Sequence, residues 1–226
     1  MKLQVAYDYT SVPEALYTYT QILHAHPNTP DLYHEIGTPL LKHGGRPLVS
    51  IFAYGVRKNG GKLIVDSKTV DVADQECEGF YEDGADMVTC MAFSTDANIQ
   101  EALRVAKRHN AEVLFDLDSA QSLDGKGQRA EEILNLGARY INCHTGISQQ
   151  ISRGENPFQL LSQVHQRLRH HPEARLVVAG GINRHNIQKL EPYAEKIGIV
   201  IIGSGITRAP DPVAETNLLL NTIRRA

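Results

Sequence analysis

The sequence predicts a closed (β/α)₈ barrel, and three observations lead to this fold class. Short apolar segments recur along all 226 residues, and each is followed by a longer amphipathic segment. The short segments are near-continuous apolar runs, as is typical of parallel strands whose outer face is covered by helices. Eight of them occur within about the chain length that eight strand and helix units need. An open, doubly wound parallel sheet is the alternative architecture.

The strand candidates are bounded by turn residues, and the helix candidates show apolar residues at intervals of three and four positions. The strands are KLQVAYD (2–8), LYHEIG (32–37), KLIVDSK (62–68), ADMVTCMAF (85–93), AEVLFDLD (111–118), ARYINCH (138–144), ARLVVAGG (174–181) and IGIVIIGSG (197–205). The helices are PEALYTYTQILHA (13–25), NIQEALRVAKRH (98–109), RAEEILNLG (129–137), NPFQLLSQVHQRLRHH (156–171) and DPVAETNLLLNTIRR (211–225).

The pattern favours one domain over residues 1–226, because no Pro- or Ser-rich linker interrupts it. The segments GVRKNGG (55–61) and DSAQSLDGKGQ (118–128) are expected to be looser loops. The formal net charge of −3 gives no reason to expect binding to nucleic acid or to a membrane surface.

The apolar runs are too short to span a membrane, and the chain starts directly in a strand. We therefore expect a cytoplasmic protein. The three cysteines, Cys77, Cys90 and Cys143, form no CxxC pair, so buried free thiols are expected rather than a disulfide framework or a zinc site.

Polar residues collect where the predicted strands end, which is where catalytic side chains lie in a (β/α)₈ barrel. They are Asp8, Glu35, Asp66 with Lys68, Asp116, His144, and the glycine turns AGGI (179–182) and GSGIT (203–207). Taken singly, each has a structural explanation: the aspartates cap helices, the histidine is a hydrogen-bonded core residue, and the glycines make turns. Together on one rim they favour an acid–base and metal site.

The segment IVDSKTVD (64–71) concentrates three charged residues at one strand end. Asp66 and Lys68 share a face if the strand continues through them, whereas Asp71 falls in the following turn or helix. Opposite charges that lie this close hold each other ionised, so we expect Asp66 and Asp71 to keep Lys68 charged. The alternative for Asp71 is a helix cap.

These residue types suit the chemistry of an enediolate. Glu35 and Asp66 offer hard oxygen ligands, which favours Mg²⁺ over zinc, and such a metal stabilises an enediolate. Lys68 adds a second positive centre. His144 is the best candidate for the general base, because the pKa of histidine is naturally near neutrality. The glycine turns after the seventh and eighth strands predict a phosphorylated substrate.

The same segments resemble a known family. VAYDY, HEIGTPL, VDSKTVD, GADMVT, LFDLD, YINCHTGISQQISRG, VVAGGI and IIGSGIT are similar, in order and spacing, to those of the 3-hexulose-6-phosphate synthases. That family is grouped with the 3-keto-L-gulonate-6-phosphate decarboxylases and the orotidine 5′-monophosphate decarboxylases. The resemblance implies a homodimeric Mg²⁺-dependent aldehyde-lyase, which reversibly adds formaldehyde to D-ribulose 5-phosphate to give D-arabino-3-hexulose 6-phosphate.

The resemblance also implies roles for individual residues. Glu35 and Asp66 would bind the metal, and Asp8 and Lys68 would bind sugar hydroxyls or the enediolate. His144 would remove the C1 proton with assistance from Asp116, and Asp71 would reach into the partner subunit's site. The residues implied in phosphate binding are Gly180, Gly181, Gly203 and Ser204.

Three positions separate the branches of this group. Where the keto-gulonate decarboxylases resemble one another in having Glu, Arg and Thr, this chain has Asp116, Ile147 and Ala179, as on the synthase side. Orotidine decarboxylases are expected to have lysine where this chain has Glu35. Decarboxylation of 3-keto-L-gulonate 6-phosphate is therefore the second hypothesis.

The sequence also departs from the family pattern, at His34, Ser67, Val72, Ala73 and Ser148. Val72 and Ala73 stand where a small residue and then glycine usually follow Asp71. Ser148 stands where an aspartate often follows the histidine by four positions. These departures motivate a third hypothesis, a sugar-phosphate-binding protein with little catalysis.

Overall fold

The computed structural model describes residues 1–225 and confirms the predicted barrel. Each of eight parallel strands pairs with the next along the chain, and the last pairs with the first, which closes the sheet. The strands are β1 (Lys2–Tyr7), β2 (Leu32–Ile36), β3 (Lys62–Thr69), β4 (Met87–Met91), β5 (Glu112–Asp116), β6 (Tyr140–His144), β7 (Arg175–Ala179) and β8 (Ile197–Ile202).

Helices cover the outside of the barrel. They are α1 (Val12–Ala25), α2 (Thr38–Asn59), α3 (Ala73–Glu82), α4 (Asp96–Arg108), α5 (Leu123–Asn135), α6 (Ile147–Arg153), α7 (Pro157–Arg167), α8 (Ser204–Thr207) and α9 (Pro212–Arg225). The connection from β7 to β8 contains a 3₁₀ segment, Ile187–Tyr193. None of the helices in residues 1–225 is long and apolar enough to cross a bilayer.

Both predictions of looser loops are wrong in part. Residues 55–59 form the last turns of α2, because Val56 packs into the core and Gly60, with φ of 77°, ends the helix in the left-handed conformation. Residues 123–128 begin α5, because the Ser122 side chain accepts a hydrogen bond from Gly125 N and so caps the helix. Both segments are rich in polar residues and glycine, and their sequences therefore did not predict a helix.

Two apolar layers build the core. The outer layer lies between the strands and the helices, and it includes the buried cysteines Cys77, Cys90 and Cys143, none of which is disulfide-bonded. The inner layer fills the barrel and consists of Ala6, Ile64, Met87, Leu114, Val177, Ala179, Ile199 and Ile201.

The inner layer also determines which way the site residues point. Because side chains alternate along a strand, a residue two positions beyond an inward-facing one faces inward as well. Asp66 follows Ile64 by two positions, and Asp116 follows Leu114 by two. Apolar residues therefore fill the barrel, and carboxylates continue the same rows at its C-terminal mouth.

Candidate active site

A cavity of about 330 Å³ opens at the C-terminal ends of the strands. Ten residues predicted from the sequence line it: Asp8, Glu35, Asp66, Lys68, Asp116, His144, Gly180, Gly181, Gly203 and Ser204. Asp71 is not among the lining residues. The structure therefore brings together side chains from β2, β3, β5 and β6 and the turns that follow β1, β7 and β8.

Lys68 lies at the centre of the charged groups. Its Nζ atom is 3.2 Å from the Asp66 carboxylate and 3.3 Å from Asp116 Oδ2. Burial alone would lower the pKa of Lys68, but the charges of Asp116 and Asp66 outweigh burial and raise it well above the usual range. Lys68 is therefore a permanent cation in this site, as expected for a residue that stabilises an oxyanion.

An irregularity in β3 helps to place this lysine. The pairing of β3 with β4 shifts register between Val65 and Thr69, and Lys68 has a φ of 53°, in the left-handed region. Ser67 turns toward β4, where its Oγ donates to Thr89 O at 2.9 Å. A non-glycine residue in this conformation is uncommon and costs free energy, which is typical of functional sites.

Asp71 does not hold Lys68 as the sequence led us to expect; Asp116 does so instead. Asp71 is exposed in the bend before α3, and its Oδ1 accepts a hydrogen bond from Val72 N at 2.9 Å. It does not cap α3 either, because Ala73 N donates to Asn98 Oδ1 at 3.0 Å. Both predictions for Asp71 within its own chain are wrong.

Three carboxylates crowd the side of the cavity formed by β1 to β3. Burial, together with the charges of Asp66 and Asp8, raises the pKa of Glu35 to about 8. The pKa of Asp8 is also raised, by reduced solvation in the cavity mouth and by the charge of Asp66. The Asp66 carboxylate is oriented by Thr38, whose Oγ1 donates to Asp66 Oδ2 at 2.8 Å.

This cluster fits a hard divalent cation. Glu35 Oε2 is buried and has no hydrogen-bond partner within the described chain, so a strong acceptor is left unsatisfied at the cavity. A cation would satisfy it and relieve the mutual repulsion of the carboxylates. Across residues 1–225 no three His, Cys, Asp or Glu side chains form a metal site by themselves. Mg²⁺ commonly completes its shell with water and substrate oxygens.

His144 and Asp116 form the other part of the charged array. His144 Nδ1 lies 2.9 Å from Asp116 Oδ2, and Asp118 N donates to Asp116 Oδ1 at 2.8 Å. Burial would raise the pKa of Asp116, but His144 and Lys68 hold it well below its usual range. Burial would lower the pKa of His144, but Asp116 raises it to about 9. The pKa of His144 therefore lies above the near-neutral value that is natural to histidine.

The glycine turns after β7 and β8 line the remaining part of the cavity. Gly180 and Gly181 have φ values of 102° and 72°, a conformation that glycine adopts without strain. A Cβ at Gly180 would overlap Thr145 O, which shows how closely the two turns approach. Gly203 and Ser204 come from the neighbouring strand end. Such exposed backbone can bind an anion.

Sequence reasoning missed Thr38 and Asn142 at this site. Asn142 lies two positions before His144 on β6, donates toward Asp116 Oδ2 at 3.4 Å and lines the cavity, so strand alternation alone could have identified it. Thr38 begins α2 and meets Asp66 only through the fold, and no sequence pattern pointed to that contact.

Comparison with known proteins gives concordant results. The Orotidine 5′-phosphate decarboxylase / HUMPS family matches residues 1–218. The chain is 37% identical over 180 residues to 3-hexulose-6-phosphate synthase 3 of Staphylococcus saprophyticus, which covers 80% of each protein. It is 35% identical over 179 residues to a 3-hexulose-6-phosphate synthase of Staphylococcus aureus, with 79% of this chain and 80% of the relative covered.

Solved structures show the same similarity. A crystal structure of a 3-hexulose-6-phosphate synthase superposes with a TM-score of 0.85 at 28% identity, covering 99% of this chain and 100% of the other. The synthase of Salmonella typhimurium gives a TM-score of 0.83 at 27% identity, with coverages of 100% and 99%. A decarboxylase, KGPDC from Streptococcus mutans, shares the fold with a TM-score of 0.82 at 20% identity, covering 99% and 97%. The chain therefore belongs to the Orotidine 5′-phosphate decarboxylase / HUMPS family.

Proposed function

We propose that this protein is a Mg²⁺-dependent aldehyde-lyase that reversibly condenses formaldehyde with D-ribulose 5-phosphate to D-arabino-3-hexulose 6-phosphate. The observation that carries the proposal is the continuous array Asp66, Lys68, Asp116 and His144, joined by contacts of 2.9 to 3.3 Å in one cavity. An array of this kind provides a base, a stabilised conjugate acid and a cation for a developing oxyanion. The relatives named as 3-hexulose-6-phosphate synthases support the choice of substrates.

The substrate would lie with its phosphate on the glycine turns and its sugar oxygens on the charged array. Gly180, Gly181, Gly203 and Ser204 line the part of the cavity that suits an anion. Glu35 and Asp66 would hold Mg²⁺, which when bound supplies electrostatic stabilisation of the enediolate oxygens. Asp8 and Lys68 would bind the sugar hydroxyls and the enediolate.

Proton transfer would run through His144. The neutral imidazole removes a proton from C1 of the pentulose, and the electron pair passes into the 1,2-enediolate. Asp116 stabilises the resulting imidazolium through the 2.9 Å contact. C1 then forms a bond to the formaldehyde carbon while the C2 carbonyl re-forms, and the aldehyde oxygen takes the proton from the His144 imidazolium as it becomes a hydroxyl. Lys68 keeps its proton throughout, which argues against a Schiff-base mechanism.

The decarboxylase hypothesis is less well supported by the site. Ile147 lines the cavity and is 72% exposed, so the position where the related decarboxylases are expected to have arginine presents an apolar side chain. The hypothesis of a non-catalytic binding protein is disfavoured by the complete acid–base array. The departures at Val72, Ala73 and Ser148 remove none of its members.

We further propose that the protein acts as a homodimer in which Asp71 completes the partner subunit's site. Asp71 is exposed outside its own cavity, and Val70 and Val72 beside it are each 45% exposed. Exposed apolar residues on both sides of Asp71 are compatible with a contact between subunits at this position.

The test is metal-dependent consumption of formaldehyde in the presence of ribulose 5-phosphate. Wild type should consume formaldehyde with Mg²⁺ and stop when EDTA is added. Asp66→Asn should lose at least about a hundredfold in rate, because it removes a metal ligand and a partner of Lys68. Glu195→Gln, a matched change at an exposed carboxylate, should behave as wild type. A wild-type protein that consumes no formaldehyde under any of these conditions would refute the proposal.

A further inference from the structure

Lys126 is a buried lysine outside the cavity that the proposed chemistry does not use. It lies in the first turns of α5, and none of its side chain is exposed. Its Nζ donates to Gln149 Oε1 at 3.0 Å and pairs with Glu155 Oε2 at 3.3 Å. Burying an ammonium group is costly unless it is paired and hydrogen-bonded. The two contacts therefore satisfy a group that would otherwise destabilise the fold.

The bond to Gln149 continues toward the active site. Gln149 lies on α6, and its Nε2 donates to Asp118 Oδ1 at 2.7 Å and to Ser119 O at 2.9 Å. The amide thus accepts from Lys126 on one side and donates to the loop after β5 on the other. We call this chain of Lys126, Gln149 and Asp118 the strap.

The strap ends on Asp116 and on the segment that follows His144. Asp118 N donates to Asp116 Oδ1 at 2.8 Å, and Asp116 Oδ2 contacts His144 Nδ1 at 2.9 Å. Asp118 Oδ1 also accepts from Gly146 N at 3.3 Å, two residues after His144. The Asp118 side chain therefore joins the polypeptide segment that follows Asp116 to the segment that follows His144.

Apolar packing does little to fix this region. The helix α6 has seven residues, and its isoleucines Ile147 and Ile151 are 72% and 81% exposed. Its position is set instead by polar side chains, since Gln150 Nε2 donates to Thr145 O at 2.8 Å and Gln149 forms the strap. We propose that Lys126 is a positioning residue, which acts through Gln149 and Asp118 to fix the loops that carry Asp116 and His144.

The catalytic consequence rests on the proposed function. A proton transfer depends steeply on geometry, and displacement of the base by even 1 Å can cost about a hundredfold in rate. The glycine turns that would bind phosphate come from β7 and β8 and are not part of the strap. Loosening the strap should therefore lower kcat and leave KM for the pentulose phosphate nearly unchanged.

Two variants test whether Lys126 positions the two loops or only stabilises the fold. Lys126→Met removes the buried ammonium group and keeps an unbranched side chain that is one atom shorter. Gln149→Glu keeps an acceptor for Lys126 but cannot donate to Asp118 and repels its carboxylate. Both should lower kcat about tenfold, with KM changed less than about twofold, and both should speed amide hydrogen exchange in residues 117–122 and 145–151.

A third variant provides the rescue. In Gln149→Glu/Asp118→Asn, the donor and the acceptor are exchanged, so the side-chain amide introduced at position 118 can donate to the carboxylate introduced at position 149. The hydrogen bond to Ser119 O stays lost, so this double variant should recover part of kcat and part of the slow exchange. Lys107→Met, at an exposed lysine of α4, controls for loss of a positive charge and should match wild type.

The results distinguish this proposal from the proposed function. Variants with wild-type exchange and wild-type kcat, or a double variant without rescue, would overturn the strap. If wild type consumes no formaldehyde, the proposed function fails and the exchange data alone decide: faster exchange with rescue supports the strap, and unchanged exchange overturns it.

Discussion

A single contact with Asp116 changes the protonation state of His144, the residue that the sequence predicts as the general base. Its place at the end of β6 made His144 the candidate base. The nearby carboxylate, which the sequence could not place at 2.9 Å, changes its protonation state. The raised pKa of His144 and the lowered pKa of Asp116 favour an ion pair of imidazolium and carboxylate at neutral pH. A positive charge brought to Glu35 and Asp66 would favour the neutral imidazole that the proposed proton transfer needs.

The pair makes stability depend on pH. The folded-state pKa of His144, about 9, is above its ordinary value of 6.5, so its stabilisation is complete below pH 6.5 and is lost as pH rises through about 9. The loss is at most about 3 kcal/mol. Urea unfolding in EDTA, at intervals across this window, should therefore show a steeper decline for wild type than for His144→Gln. His185→Gln, at an exposed histidine, should match wild type, and equal slopes in all three proteins would contradict the assignment.

Gly37 leaves room for the Asp8 carboxylate, which is proposed to bind the sugar. A Cβ there would overlap Asp8 Oδ1, although the φ of −64° suits any residue. Gly37→Ala should therefore displace Asp8 and lower kcat/KM about tenfold with little loss of stability. Gly127→Ala is the control, since its Cβ would have no neighbour closer than 3.4 Å. Steady-state kinetics with thermal unfolding checks this, and an unchanged kcat/KM in Gly37→Ala would show that Asp8 needs no fixed position.

At the scale of elements, periodicity predicted most of the fold and the direction of the site residues. All eight strands lie where apolar runs predicted them, and alternation continues the inner rows into Asp66 and Asp116. The sequence could not predict the register shift that brings Lys68 to Asp116, because it depends on pairing between β3 and β4. It also did not identify α2, where glycine and proline interrupt the helical pattern.

That interruption in α2 is a defined kink. Gly45 has φ of 61° and ψ of −168°, a region that is essentially restricted to glycine, and Pro47 follows. Gly45→Ala should destabilise the protein by about 1 to 3 kcal/mol, although the nearest atom to its Cβ would be Pro47 Cδ at 3.7 Å. Ser50→Ala, exposed in the same helix, should be nearly neutral. Chemical denaturation measures both, and equal stabilities would mean that the kink relaxes without cost.

At the scale of the whole molecule, the barrel gathers nearly every predicted residue at one mouth and leaves Asp71 outside it. The resemblance implied a role for Asp71 in a partner subunit, and its exposed position is compatible with that role. If each site takes residues from two subunits, two inactive variants can complement each other in a mixed dimer. In the proposed homodimer, substitution of Asp71 and substitution of Asp66 should therefore disable different sites.

Mixing two inactive variants tests this shared site. Asp71→Ala keeps its own cavity but cannot complete its partner's, whereas Asp66→Asn has a damaged cavity but still supplies Asp71. After random reassortment, half of the dimers pair the two variants, and each of these has one intact site of two, so about one quarter of wild-type activity should return. Asp66→Asn mixed with Glu35→Gln should recover none, because both variants damage their own cavity. Recovery that fails in the first mixture, in a protein shown to be dimeric and reassorted, would mean that Asp71 does not act across the interface.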